Sequence, residues 1–191
     1  MNKFIRAFIA IEPEIHAKDQ IITFIEKIKK VIKGDINWTK KENLHFTIKF
    51  LGEIPQDKIE DIKRLLYVVS TEHSPFLIKV AGIGFFPDNK RPRIIWLGLR
   101  DGREELIDIV NSIENKVESI GFSRERREFK AHLTVARIKS NNIKIEMGTL
   151  NELLHKDICD FFADRIILYK SDLLPSGAKY TALGEYGLCH K

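Results

Sequence analysis

Two tetrads of the form His-x-Thr-x stand in separate halves of a 191-residue chain: His45-Phe46-Thr47-Ile48 and His132-Leu133-Thr134-Val135. Each lies in a run where polar and apolar residues alternate, LHFTIKF and AHLTVAR. Strand periodicity then turns the His and Thr of each pair to one face and Phe46, Ile48, Leu133 and Val135 to the other. An unperturbed imidazole titrates near neutral pH and can give or take a proton, while a hydroxyl can donate to an anionic oxygen. Two of each, converging on one cleft, would form an acid/base site that needs no metal. A lone strand histidine is more often held by backbone or water than used in chemistry. Two copies with matched apolar residues reverse that reading.

The surrounding segments must position these tetrads. FIRAFIAI reads as a first strand, and Pro13 opens a helix in which Ala17, Ile21, Phe24, Ile28 and Val31 follow the helical repeat until Gly34 closes it. Asn37 and Trp38 lead through a polar turn into the first tetrad. A second helix starts at Pro55, with Ile59, Ile62, Leu66 and Val69 inward, and FLIKVAGIGFF and RIIWLGL follow as strands joined by a turn over 87–92. Asp101 and Glu104 resemble the caps of a third helix that buries Leu106, Ile109, Val110, Ile113 and Val117 and stops at Gly121. The charged loop Arg124 to Glu128 delivers the second tetrad. Thr149 and Glu152 cap a short fourth helix, and FFADRIILYKS and KYTALGEY form a closing hairpin around Pro175-Ser176-Gly177.

Twice, therefore, a strand and a long amphipathic helix precede a His-x-Thr-x strand, the pattern of an internal duplication. The expected fold class is α+β, with two pseudo-symmetric lobes, each an antiparallel-rich sheet with helices on its outer face, enclosing a central cleft. Residues 1–191 are expected to form a single bilobal domain.

Composition narrows the setting. Hydrophobic residues make up 43% and charged residues 31%, with no apolar run of membrane-spanning length, so no membrane partner is expected. Arg6, Glu12 and Glu14 interrupt the N-terminal apolar stretch, which reads as a strand and not a secretory signal. Cys159 and Cys189 stand apart with no second close pair, which argues against a zinc site or disulfide framework and for a reducing, cytoplasmic setting. A net charge of +5 favours an anionic partner, although segments such as residues 26–30 read as a solvated helix face.

With these residues in view, the chain resembles the two-histidine (2H) phosphoesterase superfamily, specifically the LigT-like RNA 2′,3′-cyclic phosphodiesterases once called 2′-5′ RNA ligases. Besides both tetrads, the likeness includes Arg6 to Ile11, Glu42-Asn43-Leu44, Lys49-Phe50-Leu51-Gly52, Phe86-Pro87, Arg91-Pro92-Arg93, Trp96, Ala136-Arg137, Ser176-Gly177 and Tyr180. The resemblance implies that His45 is the proton donor to the leaving oxygen and His132 the acceptor that activates water. Thr47 and Thr134 would bind the non-bridging phosphate oxygens. It implies no metal and no cofactor. The partner would be RNA ends bearing a 2′,3′-cyclic phosphate, tRNA fragments among them, opened to 2′-phosphomonoesters, with reversible ATP-independent 2′-5′ ligation in vitro. Two other readings stay open on the same scaffold: a non-catalytic nucleotide- or RNA-binding module, and a phosphodiesterase for small cyclic nucleotides.

The residues agree with this chemistry independently. In-line displacement at phosphorus needs a base beside the entering oxygen and an acid beside the departing one, on opposite sides, and two lobes can supply them. Lys49, four residues after His45, is expected on the same strand face, adding positive charge to the cleft. Arg137, five residues after His132, should face away unless a bulge intervenes. Trp96 and Phe86 could stack a base, but core packing is the stronger expectation. Surface positions are expected for His16, His73, His155 and His190.

Overall fold

The computed structural model describes residues 3–175 and 177–189, so Ser176 of the expected closing turn and His190 lie outside the described residues. Strands and helices run β1 (Phe4–Ile11), α1 (Ile15–Val31), β2 (Ile32–Trp38), β3 (Phe46–Pro55), α2 (Ile59–Glu72), β4 (Phe76–Phe86), β5 (Ile94–Asp101), α3 (Arg103–Val117), β6 (Leu133–Ile145), α4 (Met147–Leu153), β7 (Asp157–Ala163), β8 (Arg165–Leu174) and β9 (Gly177–Gly187). Among the described residues no helix is long and apolar enough to cross a membrane.

The strands form a sheet in the order β7-β4-β5-β6-β3-β1-β8-β9, with β2 beside β6. A single residue pair, Phe46 opposite Leu133, joins β3 to β6. The sheet therefore divides into two halves, β3-β1-β8-β9 and β6-β5-β4-β7, with the tetrad strand innermost in each. These are the two pseudo-symmetric antiparallel lobes of an α+β fold. Phe46 and Leu133 are fully buried and belong to one hydrophobic cluster with Ile21, Ile28, Leu66 and Ile109 from the helices. The helices thus cover one face of the sheet and the tetrad histidines lie on the other.

The helices cross between lobes. α1 follows β1 yet packs on β7, β2 and β6 of the other half, whereas α3 follows β5 and packs on β3 and α2 as well as on β5 itself. α2 stays on β8 and β9, and α4 sits against α1.

Several local expectations change. Pro55 ends β3 and α2 begins only at Ile59, and α4 begins at Met147, so Thr149 and Glu152 lie within it and do not cap it. Gly34 does not end α1; the helix ends at Val31, and Ile32–Trp38 is a strand paired with Ile145 to Ala136 of β6. Gly34 serves that strand instead, where a φ of 147° and the close approach of Asn142 and Ile143 leave no room for a side chain. FFADRIILYKS is two strands: β7 pairs with β4 at one end of the sheet, and after Asp164 β8 pairs with β1 in the other half. α3 has no side-chain cap, its first turn following Gly102 in the left-handed conformation.

A buried ion pair ties the first tetrad strand to the approach of the second. Lys49 Nζ donates to Glu114 Oε1 on α3 at 2.6 Å and to the Ser123 carbonyl at 3.2 Å, and the other Glu114 oxygen accepts the Glu125 backbone N–H at 2.9 Å. Lys49 and Glu114 side chains are 7% and 9% exposed, so removing either partner leaves a desolvated charge. Lys49→Met or Glu114→Gln alone is expected to cost about 3–5 kcal/mol, and the double variant less than the sum of the two, in equilibrium urea denaturation.

Candidate active site

Antiparallel geometry around the Phe46–Leu133 pair sets His45 across from Thr134 and Thr47 across from His132, with the histidines diagonal to one another. Diagonal neighbours in such a ladder are about 7–8 Å apart. His132 lowers the pKa of His45 through space, so the rings are in electrostatic reach.

Both rings are anchored in the same way. Nδ1 of His45 meets the Asn43 carbonyl at 2.8 Å, and Nδ1 of His132 meets the Lys130 carbonyl at 2.6 Å. A carbonyl only accepts, so each Nδ1 carries the proton and each neutral ring keeps Nε2 as its acceptor. His45 Nε2 lies 3.0 Å from Thr47 Oγ1, which donates to it when the ring is neutral. Burial pulls the His45 pKa down to about 4, with the Asn43 hydrogen bond and Glu12 acting in the opposite direction and Lys18 adding to the decrease. Glu12 is in turn paired with Lys18 and accepts from the Tyr169 hydroxyl at 2.9 Å.

Each tetrad ends in a β-bulge, and the bulge decides which later residues reach the site. On β3, Thr47 and Lys49 face Ala10 and Ile9, so Ile48 is an extra residue. On β6, Thr134 and Ala136 face Trp96 and Ile95, so Val135 is the extra one. Both sides of each bulge point inward: Phe46, Ile48 and Lys49 are buried, as are Leu133, Val135 and Ala136. The next residues, Phe50 and Arg137, are exposed on the histidine face. Lys49 therefore adds no charge to the cleft, and Arg137 joins it. Thr39 stabilises the second bulge, its backbone N–H bonding the Val135 carbonyl at 2.9 Å and its hydroxyl the Thr134 carbonyl at 3.0 Å.

Aromatic rings flank each histidine. The His45 ring is 4.9 Å from Phe8 and edge-on to Tyr180 at 5.3 Å. Burial pushes the Tyr180 hydroxyl pKa up while Arg137 and Arg6 oppose that rise, so both guanidinium groups stand near this collar. His132 is edge-on to Phe86 at 5.1 Å, and Phe86 stacks on Trp96 at 5.2 Å. Trp96 and Phe86 are outside the core cluster, contrary to the packing expectation. Trp96 lies across Gly84, where a Cβ would come within 2.0 Å of the indole. Arg6, Phe8 and Tyr180 acquire a place at the site only through the fold; Phe8 alternates with the core residues Ala7 and Ile9, the only local hint that it faces the histidines.

Of the remaining histidines, His16 and His155 are exposed, while His73 is half-buried with Nε2 2.9 Å from Ser112 Oγ. Among the described residues no group of three or more His, Cys, Asp and Glu side chains is arranged to hold a metal ion.

This fold, with paired His-x-Thr strands meeting at a seam, is that of the two-histidine phosphoesterases. A sequence profile described as LigT like phosphoesterase matches residues 11–96, which include the first tetrad. An RNA 2′,3′-cyclic phosphodiesterase of Methanocaldococcus jannaschii is 36% identical over 182 residues, covering 95% of this chain and 99% of that one. One from Aquifex aeolicus is 32% identical over 97% of this chain and 98% of its own. The chain belongs to the LigT-like phosphoesterase family. Among solved structures, a Thermus thermophilus protein superposes with a TM-score of 0.84 at 22% identity, covering 96% of this chain and 98% of that one. Escherichia coli LigT complexed with 3′-AMP superposes at 0.78 with 23% identity, covering 98% of this chain and 100% of that one.

The low pKa of His45 has a consequence for stability. Below pH 6.5 the unfolded ring takes up a proton that the folded ring refuses until the pH falls to about 4. The unfolded state binds more protons in that window, so stability declines as pH drops through it, by up to about 3 kcal/mol, and levels off below. Thermal denaturation between pH 7 and 4 is expected to show this decline, and His45→Gln to make it shallower.

Proposed function

We propose that this protein hydrolyses RNA 2′,3′-cyclic phosphate ends to 2′-phosphomonoesters by two-histidine acid/base catalysis. The observation that carries this reading is the matched pair of rings, each with Nδ1 pinned by the carbonyl two residues earlier, so that Nε2 is the nitrogen that can exchange a proton. The relatives support it, as they are RNA 2′,3′-cyclic phosphodiesterases that match nearly the full length of this chain. Residues 1–191 act as one bilobal unit, since each lobe contributes one histidine.

In this mechanism the cyclic phosphate sits between the rings. His132 Nε2 takes a proton from water as its oxygen bonds to phosphorus on one side. On the other, the P–O3′ bond breaks and His45 gives its Nε2 proton to the departing oxygen. Thr47 and Thr134 donate to the non-bridging oxygens, and Arg137 balances their charge. His45 must be protonated to act, and the anionic substrate beside it offsets the desolvation that otherwise holds its pKa near 4. Phosphate binding at neutral pH thus draws a proton onto the ring.

Nothing in these steps calls for a metal, because ring strain and two proton transfers supply the driving force and the catalysis. An alcohol in place of water gives a 2′-5′ phosphodiester by the same displacement, without ATP; tRNA fragments with cyclic ends are substrates of this kind. The two free cysteines suit action in the cytoplasm.

His45→Ala and His132→Ala are each expected to cut turnover of a 2′,3′-cyclic-phosphate oligonucleotide by about 10²–10⁴ while preserving the fold. Product analysis by phosphorus NMR in EDTA is expected to give the 2′-monophosphate from wild type alone. Tight binding of the cyclic phosphate with no turnover in wild type would make the protein a nucleotide-binding module instead. Calorimetry in buffers of different ionisation enthalpy is expected to report proton uptake when wild type binds inorganic phosphate, and little when His45→Gln does.

A further inference from the structure

A cavity of about 210 Å³ opens beside His132 on the side of β6 away from β3 and His45. Its walls are Phe86, Trp96, Leu99 and His132, with the cationic side chains of Arg103 and Lys130 at its rim. The stacked Phe86–Trp96 pair offers aromatic surface, Gly84 lets the indole lie flat across the sheet, and Arg103 and Lys130 are exposed. Aromatic surface combined with exposed cations is the chemistry that takes a base and a neighbouring phosphate.

We propose that this cavity is an acceptor subsite that holds the nucleoside whose 5′-hydroxyl can replace water. The inference rests on the proton roles given above. In-line displacement sets the entering oxygen opposite the leaving one. With His45 serving the departing 3′ oxygen, the entering group must approach from the His132 side, where the cavity is. The entering 5′ oxygen bonds to phosphorus and its proton passes to His132 Nε2. The P–O3′ bond breaks, and the 3′ oxygen takes the His45 proton. The product is a 2′-5′ phosphodiester with a free 3′-hydroxyl, and the charge on the phosphate is unchanged. The terminal nucleoside of the donor RNA, by contrast, lies on the Phe8 and Tyr180 side.

Partitioning tests this. Wild type is incubated with a nucleoside 2′,3′-cyclic phosphate and excess adenosine in EDTA, and the 2′-monophosphate is measured against the 2′-5′ dinucleoside phosphate. Leu99→Trp, which fills the cavity without touching the phosphate, is expected to lower transfer to adenosine by about tenfold relative to hydrolysis, the scale of one lost stacking contact. Arg103→Glu, at an exposed position, is expected to lower transfer to adenosine 3′-monophosphate more than transfer to adenosine, and it serves if the first variant misfolds. Hydrolysis is expected to hold in both. Equal loss of both products would assign the cavity to the donor nucleoside, and an unchanged partition, or hydrolysis by wild type with no transfer, would remove the acceptor role. Absence of hydrolysis in wild type would instead overturn the reaction itself.

Discussion

Everything at the site depends on one backbone pairing, Phe46 opposite Leu133. Two strands that run apart from each other pair only at their first residues, and their side chains at that point are fully buried against the helices. Because side chains alternate along a strand, sealing Phe46 and Leu133 inward forces His45, Thr47, His132 and Thr134 outward together. The same apolar contact that joins the lobes also aligns the polar groups. A one-residue slip of β3 at this seam would put His45 in the core and Phe46 in the cleft, so hydrophobic burial guards the register of the chemistry.

The twin bulges extend this control beyond the tetrads. Each inserts its extra residue at the last position of the tetrad, Ile48 or Val135, and so reverses the facing of whatever follows. In one lobe the reversal sends Lys49 inward to meet Glu114 and turns Phe50 out; in the other it buries Ala136 and turns Arg137 out. Equivalent backbone thus yields an aromatic group on one side and a cation on the other. The pseudo-symmetry of the main chain coexists with asymmetric surroundings, as a reaction with distinct entering and leaving groups requires.

Much of this was legible in the residues. The tetrads pointed to the strands, the two-lobed α+β plan and the four candidate site residues, because a polar pair repeated within alternating runs seldom arises by chance. The helices were readable from their apolar spacing. What escaped depended on partners distant in the chain. β2 was hidden because IKGDINW is polar and glycine-bearing, and it becomes a strand by pairing with 136–145. The division at Asp164 was hidden because the apolar run continues through it, and only separate partners, β4 and β1, split it. The facing of Lys49 and Arg137 turned on bulges, which the adjacent inward residues Val135 and Ala136 hint at only once the register is known. That Trp96 lies outside the core is likewise set by the glycine opposite it, Gly84, over which the indole lies.

The sharing of α1 and α3 between halves bears on how the molecule holds together. α1 leaves β1 to lie on β7, β2 and β6, and α3 packs on both β5 and β3, while α2 keeps to β8 and β9. Separating the halves would strip apolar cover from each sheet, so the fold is cooperative across the seam and the two imidazoles are presented together or not at all.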